Sequence, residues 1–217
     1  MTRTQSALTT VALVGTLVAA APASAQVSAP ASAQISAQER SKLVQYLTTT
    51  RDQVLAESTK LSDAQWNFKP GPDRWSVGEV VEHLALAENY LFDSQQKMMS
   101  GPAPAPEKLA ASKGSDEKIL KVIPDRTQKA QAPEPLQPGK RLGSRTEVLA
   151  AFKDRRGKTI DYANTTTADL RSRVADSPLG PLDGYQWLLF AAAHSERHLK
   201  QIQEVKADPN FPKAASQ

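Results

Sequence analysis

Cysteine is absent from this chain, and histidine occurs only three times in 217 residues. Without cysteine there is no disulfide and no thiolate. Stability must then come from packing, and any metal must be held by nitrogen and oxygen ligands. Long runs of one charge are missing as well. Lysine and arginine (27) nearly balance aspartate and glutamate (23), for a formal charge of +4 with both signs interspersed. That pattern argues against nucleic acid as a partner. No stretch shows strand-like alternation, and there is no internal repeat.

The first 25 residues read as a secretory leader. Arg3 supplies the charge, Ala7 to Ala20 is an apolar or small-residue run, and Ala23-Ser24-Ala25 is an A-x-A cleavage site. Ala31-Ser32-Ala33 is a second. The apolar run is too short for a comfortable membrane span, and neither a twin arginine nor a lipid-anchoring cysteine accompanies it. The expectation is export by the general route, to the periplasm or the extracellular space, with no stable membrane anchor. Removing the leader leaves 192 residues, enough for one domain with a full core, and a charge of +3, since the leader holds one arginine and no acid. Residues 26–35, rich in Ala, Ser, Gln and Pro, read as a disordered linker. The four-helix domain spans 36–210, and 211–217 reads as a tail.

Four amphipathic helices follow, each opened by a capping-box pattern. Ser36 to Glu39 starts the first, with Leu43, Tyr46, Leu47, Val54 and Leu55 at helical spacing to about Ser58. Leu61 to Arg74 reads as a loop broken by Pro70, Gly71 and Pro72, with Trp66, Phe68 and Trp75 as core plugs. Ser76 to Glu79 opens the second helix, which carries Val77, Val80, Val81, Leu84, Ala87 and Leu91 on one stripe to about Met99. His83 belongs to that stripe or its edge. Ser144 to Glu147 opens the third, striped by Val148, Leu149, Phe152, Ile160 and Ala163, with Arg155 and Arg156 read as solvated. Between the second and third lies Gly101 to Gly143, too long for a bundle turn, with a short helix at Ser115 to Val122 packing Ile119, Leu120 and Ile123. A connection of that length can cross the whole bundle and leave helices two and three parallel. Thr165 to Gly180 reads as a loop with a helical segment at LRSRV. The fourth helix runs from Asp183 to about Lys206, with Trp187, Phe190, Ala191, His194, His198, Gln201, Ile202 and Val205 inward. The fold class is all-α, a four-helix bundle with a long crossover between helices two and three.

His194 and His198 lie four residues apart, which puts two imidazoles on one helix face. With His83 they make three histidines at inner-face positions of two helices. Three imidazoles are costly to bury as cations but share a divalent ion well as neutral ligands. The pair is no zinc-protease motif, because HExxH needs glutamate beside the first histidine. Here Ser195, Glu196 and Arg197 intervene. Glu196 and Glu82 point away from the histidine face, and Glu79 is accounted for by its cap. No general base or other catalytic residue is identified. Tyr90, two turns beyond His83, and Asp183 are candidates for a pocket wall.

RWSVGEVVEHLALAE, with His83, and AAAHSERHLKQIQEV, with His194 and His198, resemble the DinB-like superfamily, also called the DinB/YfiT-like metalloenzymes. APEPLQP and GPLDGYQW resemble its branch with an extended second connection. The resemblance spans about Gln38 to Val205. It implies up-down-down-up topology and a divalent metal, zinc, nickel or manganese depending on the member, on His83, His194 and His198. Some members transfer low-molecular-weight thiols or isomerise maleylpyruvate with a thiol cofactor.

The leading expectation is a metal-dependent enzyme of hydrolase or thiol-transferase type acting on a small molecule. The alternative is a non-catalytic metal- or small-ligand-binding bundle, closed by a fourth ligand from Asp or Glu. A homodimer is compatible with either.

Overall fold

The computed structural model describes residues 1–2 and 34–213. Except for its first two residues, the leader lies outside that range, as do the linker through 33 and the last four residues of the tail. Four long helices make the frame: α1 (Ala37–Ser58), α3 (Val77–Met99), α6 (Arg145–Thr165) and α7 (Gly184–Lys206). All four expected capping boxes are formed, with both reciprocal bonds, at Ser36/Glu39, Ser76/Glu79, Ser144/Glu147 and Asp183/Gln186. Each N-cap side chain satisfies a backbone donor the helix would otherwise leave open, worth about 1 kcal/mol.

Hydrogen bonds between helices fix their directions. Arg40 donates to Ala163 O and Arg145 to Thr59 O, so α1 and α6 are antiparallel. Arg155 donates to Ala85 O and Phe92 packs on Tyr162, so α3 and α6 are parallel. Tyr46 meets Glu196 and Glu57 meets Lys206, so α1 and α7 are parallel. The bundle is therefore up-down-down-up, with the second and third long helices side by side and the connection of residues 100–144 running the bundle's length.

The core falls into two apolar clusters. One gathers Leu43, Leu47, Leu91, Ala163 and Leu188; the other Val54, Val81, Leu84, Phe152, Leu199 and Ile202. Between them in every helix lies a buried polar residue: Thr50 in α1, Glu88 in α3, Arg156 and Thr159 in α6, Ser195 in α7. Arg156 is 0% exposed. Its guanidinium sits 2.6 Å from Glu88 and also donates to Ala191 O and Ser195 Oγ at 3.0 and 2.6 Å. Thr159 completes the carboxylate at 2.8 Å. A buried charge needs a partner and satisfied hydrogen bonds, and this pair has both. The reading of Arg156 as solvated is thus corrected, and Arg155 is half-buried on the Ala85 carbonyl.

Other departures are local. The loop after α1 holds a short helix, α2 (Asp63–Asn67), capped by Ser62. The long connection carries α4 (Pro106–Ser112) before the expected helix α5 (Ser115–Val122). In α5 Ile119 is buried, but Leu120 is 47% exposed. LRSRV is not helical. It leads into a two-stranded antiparallel hairpin, β1 (Val174–Ser177) and β2 (Gly180–Asp183), registered Val174 to Asp183. Ile35, placed in the linker, is buried, and Phe211, placed in the tail, packs edge-on against Phe68. Among the described residues no helix is long and apolar enough to cross a membrane.

Candidate metal centre

The three histidines come together between α3 and α7, under the far end of the long connection. His83 Nε2 lies 3.3 Å from His194 Nε2, and His198 Nε2 lies 3.1 Å from the same atom. His83 and His198 are buried, and His194 keeps partial exposure. Trp75 and Phe190 wall the cluster, with Trp75 against His83 and His198 and Phe190 stacked on His194. Trp75, read as a core plug, is thus a wall of the histidine site.

The outward nitrogens decide what the inward ones offer. His83 Nδ1 is 2.7 Å from the carbonyl of Leu136, which can only accept, so Nδ1 carries the proton. His198 Nδ1 is 2.8 Å from Gln201 Oε1. Arg126 donates to that same oxygen, which fixes the orientation of the amide. Both imidazoles therefore present bare Nε2 lone pairs to His194 Nε2. One N–H on His194 could satisfy only one of them, whereas a cation would satisfy all three. Two nitrogens held at the usual 2.0–2.1 Å by one ion in tetrahedral geometry stand about 3.3 Å apart, close to what is observed. Burial pushes the pKa of His83 down against the pull of the Leu136 carbonyl. Burial, and then the neighbouring imidazoles, hold His194 and His198 well below the ordinary value. All three are neutral at neutral pH, the form that ligates metal.

The cluster among the described residues contains three histidines and no carboxylate. The nearby acids are engaged elsewhere. Glu79 is bound in its cap and to Lys69, Glu196 meets Tyr46 and Lys200, and Glu82 accepts from the backbone of residues 139–142. The two candidate wall residues do not reach the site. Tyr90 is 54% exposed on the outside of α3. Asp183 caps α7 and binds Arg171, eleven residues and about 16 Å of helix from His194. Leu136, Arg126 and Trp75 are neighbours of the histidines that the sequence did not reveal. Gln201 could have been placed there from its spacing, three residues after His198. Leu136 and Arg126 could not, since they arrive on an irregular segment.

A four-helix bundle with parallel second and third helices and three converging imidazoles defines a class of helical protein built around a three-histidine site. The chain belongs to the DinB superfamily, whose family model matches residues 24–202. It is similar to the uncharacterized protein YuaE of Bacillus subtilis (strain 168), at 31% identity over 147 residues, 67% of this chain and 86% of that protein. Its fold is similar to that of YfiT from Bacillus subtilis, described as a probable metal-dependent hydrolase with an unusual four-helix bundle topology. That likeness has a TM-score of 0.53 at 18% identity and covers 80% of this chain and 89% of the other.

Proposed function

We propose that this protein is an exported enzyme that uses one divalent metal ion, held by His83, His194 and His198, for hydrolysis or thiol transfer on a small molecule. The convergence of three neutral imidazoles, two with their lone pairs turned inward, carries the reading. The description of YfiT as a probable metal-dependent hydrolase agrees with it. A divalent ion in such a site supplies Lewis acidity and lowers the pKa of water or of a thiol toward neutrality.

The chain's own residues prepare the site. Leu136 O and Gln201 Oε1 hold the rings of His83 and His198 in one tautomer and one orientation, as second-layer acceptors do in metal sites. Trp75 and Phe190 exclude water from two sides. Three ligands, with no fourth carboxylate among the described residues, leave room for a substrate atom, which favours an enzyme over a closed structural clamp. Export rests on the leader pattern of residues 1–25. The test is a screen of the metal-loaded mature protein with ester, amide and thiol-plus-electrophile substrates. Turnover that disappears with chelator and returns with metal is expected. A fully loaded protein inert toward every class would leave a metal-binding bundle.

A further inference from the structure

The residues next to the ligands in sequence do a different job from the ligands themselves. Glu82 precedes His83 on α3 and faces the long connection. Its carboxylate is wrapped by four successive backbone N–H groups. Gly139 and Lys140 donate to Oε2, each at 3.0 Å, and Arg141 and Leu142 donate to Oε1 at 2.6 and 3.2 Å. Lys140 has φ 59, left-handed and unusual for a side chain of its size. The turn around Lys140 brings consecutive N–H groups together on one carboxylate, as an anion-binding nest does. Here the anion is a glutamate of the protein itself, 4% exposed.

From the nest the geometry runs back to the histidines. The guanidinium of Arg141 donates to the carbonyls of Pro135 and Gln137 at 2.8 and 2.6 Å. The carbonyl between them, that of Leu136, is left to His83 Nδ1. On α7 the pattern repeats. Arg197, between the two ligands His194 and His198, donates to the carbonyls of Ile123, Asp125 and Gln128. Arg126 from the same segment reaches Gln201, the partner of His198. Residues 123–142 thus form an arm strapped to the bundle by the residues beside the ligands. The arm in turn supplies or orients the groups that hold two ligand tautomers.

We infer that Glu82 is a positioning residue of the metal centre, so that docking of the 123–142 arm and binding of the metal are one coupled equilibrium. The inference rests on the three-histidine reading above. A docked arm fixes the Nδ1–H tautomer of His83 and turns Nε2 inward; a released arm lets the ring rotate and change tautomer. Linkage makes the effect reciprocal: metal must hold the arm down by the factor by which the docked arm tightens metal binding.

The test uses the full mature chain, with Glu82→Gln and Arg141→Ala. Glu82→Gln replaces two acceptor sites of the nest with donors. Arg141 is exposed, so its removal disturbs the arm without touching the bundle. Zinc affinity is measured by competition with a chromophoric chelator, trypsin cleavage of the arm after Lys129 with and without zinc, and the His83 tautomer by nitrogen-15 NMR of the metal-free protein. Both variants should lose about 10–100-fold in zinc affinity. His83 should pass from the Nδ1–H form to a mixture, a change that a merely structural role for Glu82 would not produce. In the wild type, zinc should slow cleavage after Lys129 by a factor similar to the affinity lost in Glu82→Gln. Wild-type affinity and a fixed tautomer in both variants would overturn the inference, as would wild-type cleavage indifferent to zinc. If Glu82→Gln does not fold, Arg141→Ala decides. A wild-type chain that binds no zinc overturns the metal reading and the coupling together; metal binding that both variants match overturns the coupling alone.

Discussion

Neutral imidazoles with bare nitrogens 3.1 and 3.3 Å from a shared neighbour are the central fact at the scale of single residues. A single N–H on His194 Nε2 can satisfy at most one of the two facing lone pairs, whereas a cation among them satisfies all three nitrogens. His198→Ala removes one of the three and is expected to abolish stoichiometric metal binding while helix content by circular dichroism stays at the wild-type level. His194 and His198 were legible because a helix face repeats every three to four residues. Arg156 was not, although it continues the buried series Val148, Phe152, Arg156, Thr159 and Ala163 at helical spacing. A hydrophobic stripe discards a charged residue, and the carboxylate that neutralises it is 68 positions away on another helix. Arg156→Met should destabilise the protein by roughly 3–5 kcal/mol in urea unfolding, because Glu88 is left buried and unpaired. Arg156→Met combined with Glu88→Leu should recover most of that loss. A single variant as stable as the wild type would show the pair to be dispensable.

At the scale of elements, the four long helices announced themselves through their starts. Ser, Ser, Ser and Asp, each followed three residues on by Glu or Gln, were all capping boxes in fact. Of the small elements, α2 opens with the same pattern, Ser62 with Gln65, and forms both bonds, although its segment reads as a loop. α2 is five residues long, too short to show a period, and is held by Trp66 lying across α3 at Gly78. A Cβ at Gly78 would stand 2.6 Å from Trp66 Cε2, so Gly78→Ala must displace the indole. It is expected to cost roughly 1–3 kcal/mol, with a shift in tryptophan fluorescence that reports the loss of α2. An unshifted spectrum and an unchanged melting temperature would count against that packing. The β1–β2 hairpin is four residues a side and only partly buried. Its sequence alternates too little to be seen, and β2 runs directly into Asp183, the N-cap of α7.

For the whole molecule, a connection of more than forty residues left room for helices two and three to run the same way, and they do; the full up-down-down-up order was what the family resemblance implied. What that connection does at the site was not legible, since carbonyls carry no sequence signal. The far end of the bundle is tied by Arg171, which reaches Glu39, Asp116 and Asp183 and lies over the ring of Tyr185. Burial opposes ionisation of Glu39 and Asp116, but hydrogen bonds, those from Arg171 among them, outweigh it and hold both carboxyls below their ordinary values. Burial dominates at Asp183 and raises it, with Arg171 pulling the other way. Arg171 thus favours the charged form of all three. For Glu39 and Asp116, whose folded values are depressed, the stabilisation is present above the unfolded values and is lost as pH falls through the folded ones; at Asp183, whose folded value is raised, Arg171 limits the cost of ionisation. The stability advantage of wild type over Arg171→Gln should therefore shrink as pH falls through the carboxylate range; an advantage that grows on acidification would contradict the network. The three-histidine metal site is put to the proof by elemental analysis of the mature protein, purified without a histidine tag, beside a triple variant with alanine at 83, 194 and 198. About one divalent ion per chain is expected, absent from the control. No metal in the wild type, even after reloading at neutral pH, would contradict it and reduce the three histidines to core residues.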